Sequence, residues 1–208
     1  MLRKAYRTTL LGLALCCMSG SLSAWEPAIS FETGYSSTPA VTLEACTLQG
    51  STFQVRPPIE DDAVRLWEFA LTTNPDGAPT LAQMERRLAR TLRRMAQGRT
   101  LQLYQMVDDR IMGIGSVDMG RDRANHVGRM TIKGWEEGRD ALIEILIAEA
   151  EKNLPDLEIL TIWIFADNQE RAAHLAALGF MPIGTVPNGI KVGSDHFDAL
   201  HLYRPVVR

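Results

Sequence analysis

Three groups of side chains in this 208-residue chain could do chemistry. The first is Lys133-Gly134-Trp135-Glu136-Glu137-Gly138-Arg139-Asp140, which joins a strand to a helix. Gly134, Gly138 and Arg139, helped by Lys133, could form a small nest of donors for an anion. A plain tight turn into a helix is the alternative, and the residues alone leave both open. The second group is the row Arg86, Arg90 and Arg93, with Arg87 and Arg94 nearby. It could wall an anionic ligand; a solvated basic helix face is the simpler account. The third is a set of isolated reactive residues. His126, His174, His196 and His201 are scattered and make no metal-type cluster with cysteine, so no metal is expected. Of the three cysteines, Cys46 would be the only one left after removal of residues 1–24, and a lone thiol without a base beside it reads as a packing residue.

The elements that must position these groups are legible between Met130 and Phe180. In 141–150, Leu142, Ile145, Leu146 and Ala150 recur on one helical face with glutamates opposite. Asn153 and Pro155 end that helix. Ile159 to Phe165 is an almost unbroken apolar and β-branched run, as in a strand buried on both faces. Asp167-Asn168-Gln169-Glu170 resembles a capping box with Asp167 as the cap, although Asn168 is itself a good cap residue. The helix it opens buries Ala172, Leu175 and Ala176, and ends at Gly179 in a left-handed turn with Phe180 folded back. A helix between two strands is a crossover, which requires parallel strands and a right-handed connection.

Upstream, Thr52 to Arg56 alternates as a first core strand and Pro57-Pro58 ends it. Glu60-Asp61-Asp62 opens a helix with Val64, Trp67 and Leu71 as its buried face. Thr80 and Gln83 form a capping box, followed by the stripe Met84, Leu88, Leu92 and Met95 and the stop Gly98. Leu101–Met106 and Ile111–Val117 flank Val107-Asp108-Asp109-Arg110 as a hairpin. Gly113 and Gly115 in its second strand mark a bulge or a close backbone approach. A polar loop follows, and His126 to Ile132 forms the next strand.

Length suits one domain plus a tail. A net charge of −3 argues against a nucleic-acid binder held by general electrostatics. Residues 1–24 look like an export signal: Arg3, Lys4 and Arg7, an apolar stretch too short to span a bilayer comfortably, then small residues before Trp25. Cleavage there would leave no membrane span and a periplasmic or secreted protein. Initiation at Met18 would instead leave it in the cytoplasm. Residues 25–51 read as a tail or arm.

From 52 to 208 the chain resembles the GNAT N-acetyltransferases. His126-Val127-Gly128 entering a strand, with Ala141-Leu142-Ile143 in the next helix, resembles the first half of the family pattern. Asn168, Arg171, Ala172 and Leu178-Gly179-Phe180 resemble the second half. Ile183 to Val192 and Phe197 to Leu200 are similar to the closing strands of small-amine and N-terminal acetyltransferases. The resemblance implies an α/β fold of α+β type. Its central sheet is mixed and mostly antiparallel, with helices on both faces and a splay where the central strands part.

It also implies chemistry. Acetyl-CoA would be the co-substrate, lying along Met130, Thr131 and Ile132, with its pyrophosphate at Lys133, Gly134, Gly138 and Arg139 and with Asn168 and Arg171 near it. The acceptor would be a small amine or a peptide N-terminus, and dimers are common in the family. Asp118 and His126 are the candidate bases, each acting on an ammonium through a water. The sequence departs from the pattern in two places. The pyrophosphate loop is several residues short and carries Glu136, Glu137 and Asp140. Leu175 stands where many relatives place a tyrosine that protonates the thiolate, and the adjacent His174 reads as a surface histidine. These departures support a second reading, an exported binding module that keeps the fold without catalysis.

Overall fold

The computed structural model describes residues 46–48, 51–134 and 136–207. The signal-like segment and most of the arm lie outside them. Eight strands are present among the described residues: β1 (Cys46–Leu48), β2 (Ser51–Arg56), β3 (Thr100–Val107), β4 (Arg110–Met119), β5 (Val127–Gly134), β6 (Ile159–Phe165), β7 (Met181–Val192) and β8 (Asp195–Pro205). Four α-helices accompany them: α1 (Ala63–Thr73), α2 (Leu81–Ala96), α3 (Arg139–Asn153) and α4 (Gln169–Ala177). The strands form one sheet in the order β1-β2-β3-β4-β5-β6-β8-β7. Only β5 and β6 run parallel; every other neighbouring pair is antiparallel. This is the mixed, mostly antiparallel sheet expected from the sequence. β1 is a short addition within the segment read as an arm.

Two cores separate the helices. Leu101, Leu103, Val117, Met130, Leu160 and Ile162 point from one face of the sheet to Leu142, Leu146 and Ala150 of α3 and Leu175 of α4. From the other face, Tyr104, Met106 and Ile111 meet Leu66 and Phe69 of α1 and Met84 and Leu88 of α2. The alternation of side chains along each strand makes two such cores from one sheet.

Several local expectations hold. Thr80 accepts from the Gln83 amide and Gln83 from the Thr80 amide, closing the capping box of α2. Gly179 has φ +86, and the Phe180 amide donates to the Leu175 carbonyl while its ring is buried. The hairpin turns at Asp108 and Asp109, both left-handed, a conformation that suits a tight turn between twisted strands. Gly113 and Gly115 do mark a close approach: a Cβ on Gly115 would lie 3.1 Å from a Leu146 methyl.

Five expectations need correction. Within α4 only Leu175 is buried; Ala172 is half-buried and Ala176 is exposed. α1 buries Leu66 and Phe69, while Val64 and Leu71 are exposed. Its apolar stripe follows 63, 66, 67 and 70, so the face was misjudged by about one residue's rotation, roughly 100°. α3 is not one-sided. Ile143, Ile147 and Glu149 are buried as well, and Arg204 of β8 forms an ion pair with Glu151 on this helix. β6 buries Leu160, Ile162 and Ile164 fully, but its other face is only half covered. The cap of α4 is Asn168, whose Oδ1 accepts from the Arg171 amide at 2.9 Å, one residue later than the Asp167 box.

Candidate active site

The site follows from the one parallel strand pair. β5 and β6 are in register from Val127↔Ile159 to Met130↔Ile162. Both then continue, β5 to Gly134 and β6 to Phe165, without further pairing between them. The strands part beyond Met130, and Thr131 to Gly134 edge the opening. Unpaired strand backbone at such a fork is available to a ligand.

At the top of the fork, β5 enters α3 through two left-handed glycines, Gly134 (φ +110) and Gly138 (φ +72). A Cβ on Gly134 would run into the Met112 carbonyl and the Gly113 backbone. Gly138 is the N-cap of α3, and no side chain caps that helix. Gly138 packs against Gln105, which is buried in β3 and whose Nε2 donates to the Glu137 carbonyl at 3.2 Å. The turn is therefore shaped from beneath by a strand on the far side of β4. Arg139 donates to the Gly134 carbonyl at 2.9 Å, while its Nε is buried without a partner.

The charges expected around this turn are present, and the structure pairs them. Arg171, on α4, forms an ion pair with Asp140. Glu136 is exposed and only weakly engaged with Arg139, at 3.5 Å, and Glu137 is exposed as well. Burial holds the Arg139 guanidinium below its ordinary range, and the neighbouring Arg171 lowers it further. Two guanidiniums thus crowd one compensated carboxylate, an arrangement that an added anion would relieve. Of the loop's acids, Asp140 is paired with Arg171, and Glu136 and Glu137 face outward.

On the opposite face, α2 and the sheet enclose a cavity of about 350 Å³. Leu66, Met84, Leu88 and Ile114 supply apolar walls, and Gln102, Tyr104, Ser116 and Thr131 supply amide and hydroxyl groups. Arg87, Lys133 and Asp118 add charge. Asp118 accepts from the Thr100 hydroxyl at 2.8 Å and meets Arg94 at 3.1 Å. Tyr104 is fully buried, and burial, helped by nearby Asp62, pushes its phenol well above the usual range, so it stays neutral. Its oxygen accepts from Gln102 at 3.3 Å.

No protein-family model and no curated protein matches the chain. Solved structures do. The chain is similar to an acetyltransferase of the GNAT family from Streptococcus pneumoniae, with TM-score 0.63 and 20% identity, covering 74% of this chain and 99% of that one. It is also similar to RimL, a ribosomal L7/L12 alpha-N-protein acetyltransferase in complex with coenzyme A (TM-score 0.61, 14% identity, 78% and 98% covered). A third is a phosphinothricin acetyltransferase from Sinorhizobium meliloti in complex with acetyl-CoA (TM-score 0.58, 16% identity, 74% and 88% covered). The fold is that of the GNAT acetyltransferases.

Within the GNAT fold, the residues expected around the co-substrate fall into three places. Met130, Thr131 and Ile132 run along the edge of the fork. Gly134, Gly138, Arg139, Asn168 and Arg171 converge at its top, where the N-termini of α3 and α4 meet through Asp140. Lys133 stands apart from them, because strand alternation turns it to the α2 side, where it lines the cavity. The two candidate bases are also separated. Asp118 lines the cavity, two register steps below Ser116↔Thr131. His126 precedes the first β5–β6 pair, about 13 Å of strand from Met130, and lines a different depression with Asn125, Asp156 and Glu158.

Sequence reasoning missed Gln105, and it named Arg87 and Arg94 only as neighbours of the row Arg86, Arg90 and Arg93. A polar residue within the apolar run 101–106 was a signal for Gln105. Of the arginines, Arg86, Arg90 and Arg93 are exposed, as on a solvated helix face; Arg87, also exposed, lines the cavity with Thr91, and Arg94 reaches Asp118. Leu175, at the expected tyrosine position, is wholly buried in the core. His174 sits between α3 and α4, 3.8 Å from Asp140 and 3.9 Å from Glu144.

Proposed function

We propose that this protein transfers an acetyl group from acetyl-CoA to an amine, either a small amine or a peptide N-terminus. The observation that carries this reading is the fork at Met130/Ile162, with a left-handed glycine turn and two guanidiniums at its top and a polar-lined cavity opening beside it. The neighbouring folds that hold coenzyme A or acetyl-CoA support it.

In this reading the co-substrate supplies the activated acyl group. Gly134 and Gly138 leave room for a phosphate against backbone, and Arg139 and Arg171 carry its countercharge. Amides along Thr131 and Ile132 stabilise charge that develops on the thioester carbonyl. The acceptor amine lies in the cavity at the level of Ser116 and Thr131. Asp118, the carboxylate of that cavity, takes the amine's proton through a water. His126 has no part in the step. Calorimetric titration of acetyl-CoA into the purified chain tests the first half, with micromolar binding expected and no binding at millimolar ligand counting against it. Asp118→Asn should lower kcat by about a hundredfold with His126→Ala unchanged; equal rates for Asp118→Asn and the parent would remove the base assignment.

One observation favours a second reading. The buried Leu175 offers no proton to a leaving thiolate. A binding module that retains acetyl-CoA without transferring its acetyl group would give the calorimetric signal with no thiol release over a broad amine and peptide panel.

A further inference from the structure

The walls of the cavity under α2 say what kind of amine they fit. At about 350 Å³ it is near the small end of ligand sites, which run from roughly 300 to 1,000 Å³. Its one lining carboxylate, Asp118, is already matched by Arg94 and Thr100. Its two lining cations, Arg87 and Lys133, have no carboxylate within ion-pair reach among the described residues. The sheet register orders these groups along one line. Asp118 is opposite Arg129, Ser116 opposite Thr131 and Ile114 opposite Lys133, so the hydroxyl pair lies two residues from Asp118 and two from Lys133. Arg129 itself is exposed, lies outside the cavity lining and is near His201, which it helps hold below its ordinary range.

We infer that this cavity accepts a small primary amine bearing a carboxylate on a short apolar body, an α-amino acid in free form. The amine sits at Ser116 and Thr131 beside the fork, the carboxylate is held by Arg87 and Lys133, and the side chain rests on Leu66, Met84, Leu88 and Ile114. A cationic polyamine would meet two unmatched cations, and a peptide N-terminus would place a neutral amide where the cations expect charge. The inference rests on the acetyltransferase reading for its chemistry, though not for its binding geometry.

The test compares L-leucine, L-methionine and L-phenylalanine with their carboxamides and with a tripeptide amide, using the full chain, acetyl-CoA and thiol release. The free acids should exceed the carboxamides in kcat/KM by about tenfold or more, the size of a charge-assisted contact. The amides have the less basic amines, which works against this preference. In Arg87→Ala/Lys133→Ala the ratio should fall to about one while acetyl-CoA affinity is unchanged. Equal rates for acid and amide, a preference for the tripeptide amide, or an unchanged ratio in the double variant would overturn the inference. If acetyl-CoA itself does not bind, the acetyltransferase reading fails and calorimetry of the amino acids alone decides the cavity. Binding of the acids but not the carboxamides supports it, and binding of neither overturns it.

Discussion

Gly138 shows how much one residue can fix. Its φ of +72 is a conformation that side chains other than glycine rarely adopt, and a Cβ there would strike the Gln105 amide. Gly138→Ala should cost about 1–3 kcal/mol in a urea melt and weaken acetyl-CoA binding, because the turn must shift away from Gln105. Glu149 makes a different point. It is buried in α3, accepts from Asn153 at 2.7 Å, and burial raises its carboxyl above the ordinary range, with Lys152 and the Asn153 bond pulling back. The folded state therefore holds this proton more tightly than the unfolded chain does. The resulting stability is present in acid and is lost as pH rises through the folded value. Glu149→Gln keeps an acceptor for Asn153, so its thermal midpoint should exceed that of the parent at neutral pH and converge with it in acid.

Among the elements, α2 carries the most consequence for the site. Its buried stripe sets its rotation on the sheet, and that rotation puts Arg87 at the cavity and Arg94 against Asp118, and leaves Arg86, Arg90 and Arg93 in water. The start of the helix is fixed by the reciprocal Thr80–Gln83 bonds. Thr80→Ala should cost about 1 kcal/mol in thermal or urea unfolding, the usual value of an N-cap. Acetyl-CoA affinity should be unchanged, since α2 does not touch the fork's upper end. The α3–α4 pair works differently: Arg171 joins the two helix starts through Asp140, so elements about 30 residues apart in sequence meet at the top of the fork.

For the molecule as a whole, the sheet separates two tasks. Its α3 face is a continuous core, and its α1/α2 face holds a smaller core beside the cavity. Leu146→Ala, in a fully buried residue of the larger core, should destabilise by about 2–5 kcal/mol and shift the denaturant midpoint without changing its slope. The exposed apolar side chains Ile183, Val192 and Phe197 gather on β7 and β8, away from both cores.

By itself, the sequence determined the crossover from β5 to β6, the capping box of α2, the Gly179 turn and the hairpin. Each depends on neighbours within a few residues, where hydrogen bonding and φ preference act locally. It also grouped Gly134, Gly138, Asn168 and Arg171 through the order of motifs, and the fold brings them to one end of the fork. Only the tertiary structure decided the rest. The loop's own residues did not show that Asp140 is paired, because its partner Arg171 lies on a different helix. Lys133 looked like part of the glycine turn because a strand's two faces are adjacent in sequence yet open on different sides of the sheet. Asp118 and His126 looked equivalent as bases, and they part because antiparallel register carries one towards the fork and the other to its closed end. Charge pairing and register are long-range properties of the folded chain, and no local pattern encodes them.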